Sequence, residues 1–183
     1  MKTGLTTRAA VAADAEAVCT VLRQAILETC VDDHRNEPAI LDAWLGNKQP
    51  GQVAAWMAAP ANHMIVAEGT VDGVTALVGV ALINQAGKLA LCHVLPAAQR
   101  QGVGTALLVA AEAHARAWGV ATVRIDGTSN SHHFYARHGY INGGRDKTSY
   151  GLECELLWKP LDATAGQKVA SKRFCSCNPH QHD

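Results

Sequence analysis

The segment Gln99-Arg100-Gln101-Gly102-Val103-Gly104-Thr105 carries the clearest chemistry in this 183-residue chain. Two glycines separated by one residue let backbone N–H groups approach an anion with no Cβ in the way. The Ala/Leu-rich stretch Gly104–Trp118 follows and reads as a long helix, ended by Gly119. The positive end of that helix, roughly half an elementary charge, faces the loop. Loop and helix together make a phosphate cradle built from backbone. It needs no surplus of lysine, which fits a chain whose Lys+Arg and Asp+Glu both number 16. Two other phosphate motifs fail on their residues. A P-loop ends in Gly-Lys-Ser/Thr, whereas Gly104 is followed by Thr105-Ala106. A dinucleotide fingerprint needs a third glycine where Leu107 stands, although Asp126 falls about 20 residues downstream.

A second group lies at Asn130-Ser131-His132-His133-Phe134-Tyr135-Ala136-Arg137-His138-Gly139-Tyr140. Asn130 reads as an N-cap and Gly139 as a C′ stop, so Ser131–His138 is expected to be a two-turn helix. Phe134 is expected on the core, with Tyr135 pointing elsewhere.

The elements that must position these groups follow from periodicity and breakers. Leu5–Val11 reads as a strand, Asp14 as an N-cap, and Ala15–Cys30 as an amphipathic helix. Asp32–Asn36 is a polar break. Glu37–Leu45 and Gln52–Ala58 read as short helices separated by Gly46–Gly51. Met64–Ala67, Thr75–Ile83 and Leu89–Leu95 read as three consecutive strands joined by turns. Thr122–Asp126, Tyr140–Asn142 and Leu152–Trp158 complete the strands. Consecutive hairpins imply antiparallel pairing, and strand–helix–strand across Leu89–Asp126 implies one parallel crossover. The expected class is α/β (α+β): a mixed, mostly antiparallel central sheet of about six to seven strands flanked by helices.

Gln99-x-x-Gly102-x-Gly104, preceded by Val94-x-Pro96 and followed by an apolar helix, resembles the pyrophosphate loop of the GNAT superfamily of N-acyltransferases. Asn130 with Phe134-Tyr135 and Gly139-Tyr140 resembles the Asn and Phe-Tyr-x-x-x-Gly-Phe/Tyr elements of the same family. The resemblance spans Leu5–Leu161, so residues 1–161 are expected to form one domain. It implies acetyl-CoA as cosubstrate, with backbone donors from Arg100, Gln101, Gly102, Val103, Gly104 and Thr105, alongside Gln99, at the pyrophosphate. It implies contacts from Val94 and Asn130 to the pantetheine arm, and Tyr135 as the acid for the departing thiolate. The developing oxyanion would take a strand N–H near Val94.

Many family members carry a Glu on the strand before the loop. Here Lys88–Leu95 has no carboxylate, and His93 is its only conventional base, with an ordinary pKa of ~6.5. Cys92 and His93 alternate, which sets them on opposite faces and argues against a Cys–His nucleophilic pair. Asp126, acting through water, is the other candidate base. Asp32, Asp33 and His34 fall in a region that borders the acceptor pocket in this family and are candidate ligands for a cationic amine. The expected activity is acetyl transfer from acetyl-CoA to a primary amine, of a small molecule, by direct attack in a ternary complex. A non-catalytic acyl-CoA-binding module and a protein N-acetyltransferase are the alternatives.

Composition narrows the class. Zero formal charge argues against a dedicated nucleic-acid binder, and 48% hydrophobic residues argue against wholesale disorder. Apolar runs such as Val103–Ala111 stop well short of the ~18–20 residues of a membrane span, and Met1–Arg8 lacks an apolar signal core. A cytoplasmic location, no metal, and a small-molecule amine as partner are expected, with a homodimer left open. Cys19, Cys30, Cys92 and Cys154 sit in apolar segments and read as buried free thiols. Residues 162–183 read as an irregular tail whose Cys175, Cys177, His180 and His182 do not match standard zinc spacing.

Overall fold

The computed structural model describes residues 4–148 and 150–162. The tail reading, with its Cys and His residues, lies outside the described residues.

Among the described residues, seven strands form two antiparallel sheets. The first has the order β1-β2-β3-β4, from Thr6–Ala9, Asn62–Val71, Val74–Asn84 and Leu89–Val94. The second has the order β5-β7-β6, from Thr122–Gly127, Glu153–Pro160 and Ile141–Lys147. The expected class, about seven mostly antiparallel strands flanked by helices, holds, and the strands divide into two sheets rather than one. The parallel crossover survives only as one bridge, Lys88 to Arg124. Beyond that bridge β4 and β5 diverge, and one edge of β4 is left without a strand partner.

The hairpin chemistry explains the first sheet. Asp72 (φ 52°) and Gly73 (φ 80°) both take positive φ, the geometry of a two-residue turn that matches strand twist. Along β2, Met64 and Val66 face one core while Ile65 and Ala67 face the other. Both faces are covered, so the strands read as continuous apolar runs rather than alternating ones. On one face lies α1 (Ala15–Thr29), joined by short α2 (Val31–His34), α3 (Pro38–Leu45) and α4 (Pro50–Ala58). On the other lies α5 (Val103–Ala117), and α6 (His132–Arg137) follows β5.

Gly79 lets α5 come close to β3. A Cβ there would lie 2.9 Å from both Leu107 Cδ1 and Val103 Cγ1. The buried carboxylate of Glu112 then ties α5 to the second sheet. It accepts from Lys159 Nζ at 2.8 and 2.9 Å and from the Tyr140 hydroxyl at 3.1 Å.

Three local readings change. Asp14 occupies the N-cap position of α1 but its side chain makes no cap bond. The carboxylate instead accepts from Val11 N–H (2.8 Å) and takes a bidentate Arg8 guanidinium at 2.7 and 3.0 Å. The polar break at Asp32–Asn36 contains the last three residues of α2, closed by Arg35 and Asn36 in left-handed conformations. Asn130 is not the N-cap of α6; Ser131 holds that position, and Asn130 Nδ2 donates to Thr29 O at 3.0 Å.

Candidate active site

Two cavities meet at the split between the sheets. The larger, about 1000 Å³, runs from the start of α5 along β4 to α6. The smaller, about 440 Å³, lies toward α3, α4 and the loop before β7. Leu89, Ala90, His93, Asp126, Gly127 and Thr128 line both, so the two compartments open into one another.

The wider end of the large cleft is the glycine loop. A short 3-10 turn at Pro96–Ala98 leads to Arg100 (φ 62°) and Gly102 (φ 87°), after which α5 begins at Val103. Two positive-φ residues within three positions curl the loop and turn successive N–H groups toward one concavity. The N-terminus of α5 has no side-chain cap, so its first-turn donors remain available to an anion. A Cβ on Gly102 would meet nothing within 4 Å, which marks the open space in front of those donors. At Gly104 a Cβ would press on the Phe134 ring at 3.3 Å. These residues fit a pyrophosphate.

Of the residues expected around the cosubstrate, Val94, Gln99, Arg100, Gly102, Gly104, Thr105 and Asn130 line this cleft. Gln101 and Val103 do not line it. Gln101 Nε2 donates to Ala97 O (2.9 Å), and the Val103 side chain is buried in the core. Both keep only their backbone for the expected role. Leu95 N–H donates to Val78 O across the β3–β4 ladder. Alternation therefore turns the Val94 N–H away from β3, toward the split.

A β-bulge in β4 sets which side chains face which cavity. Ile83 pairs with Leu89 and Leu82 with Leu91, leaving Ala90 as the extra residue. Leu89 and Cys92 consequently share the α5 face, while Leu91 joins the α1 face. His93 lies on the opposite face from Cys92 and lines both cavities. Burial, with the positive charge of Lys48 nearby, pushes the His93 imidazole down to about 4. The ordinary pKa expected from sequence is corrected: this imidazole is neutral across the physiological range.

The expected division of the Phe-Tyr pair is corrected at Tyr135 alone: Phe134 packs against the core cluster as expected, and Tyr135 is itself a member of that cluster. Phe134 is half-buried against Gly104, whereas Tyr135 is 5% exposed and belongs to the core cluster. Tyr135 nevertheless reaches the cleft, with its hydroxyl beside the Cys92 thiol. Burial raises the phenol well above 10 and the Cys92 thiol to about 11. Both are proton-bearing at neutral pH. Asp126 sits at the junction in an ion pair with Lys88, which occupies the carboxylate that would otherwise act as a free base.

The three residues proposed to hold an amine separate. Asp33 lines the smaller cavity; its Oδ1 accepts from Ser129 N–H at 2.9 Å, and its Oδ2 is buried with no partner. Asp32 is exposed and lines neither cavity. His34 is fully buried: Asn36 N–H donates to Nδ1 (3.0 Å), so Nε2 carries the hydrogen and donates to Ile26 O at 3.1 Å. His34 joins α2 to α1 and is unavailable to a substrate.

Sequence reasoning missed the rest of the smaller cavity. Trp44 and Tyr150 stack at 5.6 Å, and Trp56, Asn47, Asn62 and Lys48 complete its wall. The buried Lys48 comes from the stretch read as a helix linker. A lysine in the middle of a glycine-bounded loop ordinarily reads as solvated, and no spacing pattern flags it.

Comparison with known proteins agrees with this architecture. A GNAT acetyltransferase domain model matches residues 30–154. A GCN5-related N-acetyltransferase from Rhodopseudomonas palustris superposes with a TM-score of 0.75 at 24% identity, covering 87% of this chain and 98% of that one. The PaiA N-acetyltransferase of Thermoplasma acidophilum, solved with coenzyme A, gives 0.69 at 16% identity over 86% and 99% of the two chains. YncA of Salmonella typhimurium, solved with acetyl-CoA, gives 0.62 at 19% over 87% and 95%. No curated protein matches the chain. Among the described residues no helix is long and apolar enough to cross a membrane. The family model covers more than half of the chain, and the fold around the loop is that of its solved neighbours: this chain belongs to the GNAT acetyltransferase family.

Proposed function

We propose that this protein transfers the acetyl group of acetyl-CoA to the primary amine of a small molecule, with both substrates bound together. The observation that carries the reading is the junction of the two cavities at His93, Asp126 and Thr128. An acyl-CoA-binding module needs the large cleft alone. A second compartment opening onto the reacting end of that cleft is what an acceptor requires. Its walls of Trp44, Trp56 and Tyr150 form a recess of about 440 Å³ and suit a compact molecule better than a polypeptide.

Acetyl-CoA supplies an activated thioester, and the chain supplies position and protons. The first turn of α5 and the Arg100–Thr105 backbone hold the pyrophosphate. The Val94 N–H, turned into the split, donates to oxygen that gains charge as the amine attacks. His93, neutral and facing both cavities, accepts the proton released as the amine nitrogen commits its lone pair to the new bond. Its low basicity suits that moment, when the nitrogen becomes strongly acidic, better than the earlier removal of a proton from a free ammonium. The buried Tyr135 phenol retains its proton and donates it to the departing sulfur.

The test is thiol release from acetyl-CoA across a panel of amino acids, polyamines, aminoglycosides and peptides. Amine-dependent release with a small molecule supports the reading. Tight acetyl-CoA binding with no release for any amine favours the binding module, and release with peptides alone favours a protein acetyltransferase.

A further inference from the structure

Lys48 is 4% exposed and lines the acceptor cavity, yet no carboxylate among the described residues lies within 4.0 Å of its ammonium. Among the described residues its one polar partner is the neutral Asn47 Oδ1 at 2.7 Å, and the Trp56 ring centroid stands 5.9 Å away. A buried cation that lacks a counter-charge destabilises the fold, and an anion supplied by a ligand would relieve that cost. The backbone presents it firmly: Lys48 O accepts from Cys19 Sγ (2.9 Å) and Arg23 Nη1 (3.4 Å). Burial holds its pKa at about 8, so the ammonium form prevails at neutral pH.

Three carboxylates line the same cavity, Asp33, Asp126 and Glu153; Glu153 is exposed on β7, and none of the three pairs with Lys48 among the described residues. Asp126 pairs with Lys88, and Asp33 is bound through Oδ1 to Ser129. Asp33 Oδ2, buried and without a partner, asks for a donor. Ser129 follows Thr128, a residue shared by both cavities, so Asp33 marks the reacting side. The cavity thus offers an acceptor without a partner on the Thr128 side and a cation without a counter-charge on its wall, with the Trp44–Tyr150 stack also lining it.

We propose that the acceptor is an amino carboxylate: its amine docks at Asp33 beside the junction, its carboxylate pairs with Lys48 Nζ, and its side chain lies against the aromatic wall. The assignment rests on the acetyl-transfer reading for its direction, and binding alone can test it.

Calorimetric titration of the full chain at pH 7.5, with coenzyme A present, would compare L-phenylalanine, L-tryptophan and L-methionine with their α-amides. The members of each pair differ in the carboxylate. At least one acid is expected to bind tenfold or more tighter than its amide. Lys48→Met should remove that preference and leave the amide unchanged. It should also raise the melting temperature, because the uncompensated charge is gone, whereas a merely structural lysine would lower it. Lys48→Arg should retain the preference. Equal affinities of acid and amide in all three pairs overturn the proposal, as does no binding of any acid. Thiol release with amides as fast as with acids overturns it while upholding acetyl transfer. Acid-selective binding without thiol release upholds it and overturns acetyl transfer.

Discussion

The two cavities are built in different ways. The large cleft offers backbone: the α5 N-terminus, the curled Arg100–Gly102 loop and the free edge of β4. The small cavity offers side chains drawn from α3, the loop before α4, β2 and the loop before β7. Backbone recognition depends on glycines and a helix start, which a short sequence pattern encodes. Side-chain recognition depends on residues more than a hundred positions apart, from Asp33 to Glu153, which no local pattern encodes.

The sharpest break of the backbone side is Gly104→Glu. The new side chain starts 3.3 Å from the Phe134 ring and carries negative charge into the first turn of α5. Coenzyme A affinity should fall by more than ~100-fold, the helix dipole and donors now facing a carboxylate. Gly102→Glu should match it by charge, with about 1–2 kcal/mol of added backbone strain from its positive φ. Calorimetry showing unchanged affinity in both would remove the pyrophosphate assignment.

Tyr135→Phe separates chemistry from binding within the cleft. The ring keeps its packing, so kcat should drop by ~10–10⁴-fold with little change in coenzyme A affinity. An equal loss of kcat and melting temperature would instead mark a structural hydroxyl.

Between the compartments stands His93, and its protonation reports on both. An imidazole depressed in the fold from about 6.5 to about 4 leaves the unfolded chain holding more protons between those values. Its contribution to stability is therefore complete above pH 6.5 and lost as pH falls toward 4. His93→Gln should flatten that part of the acid limb of the melting curve. In NMR titrations the His93 ring should stay neutral at pH 6, and Lys48→Met should move its midpoint upward by removing the neighbouring positive charge. A midpoint near 6.5 in the parent protein would contradict the buried geometry.

The smallest effect is expected at Asp32, which lies outside both cavities. Asp32→Asn should change acceptor KM by less than twofold, while Asp33→Asn raises it by ~10-fold through the loss of one charged hydrogen bond. Steady-state kinetics with one accepted amine distinguishes them.

The same contrast explains what was legible in the sequence. Each strand had a counterpart in the sequence, but β6 only at Ile141-Asn142, because Gly143–Lys147 is polar and exposed, and the Gly102–Gly104 loop with α5 was visible as a motif in context. The split between β4 and β5 was not, because it depends on how far two strands stay together rather than on either strand's pattern. The Ala90 bulge was equally hidden; it moves Leu89 to the face of Cys92 without any glycine or proline to mark it. His34 read as a polar loop residue because its partners, Ile26 O and Asn36 N–H, are backbone groups that composition never shows. Lys48 read as part of a linker because its burial comes from α1 and Trp56, outside its own segment.

The central claim is that both substrates occupy the joined cavities at once and the amine attacks directly. Initial velocities over a grid of acetyl-CoA and amine concentrations should give intersecting double-reciprocal lines. Mass spectrometry after incubation with acetyl-CoA alone should show no acetyl group on Cys92, whose half-buried thiol is held at about 11 and faces away from His93. Parallel lines together with an acetylated Cys92 that passes its acetyl group to the amine would contradict the account.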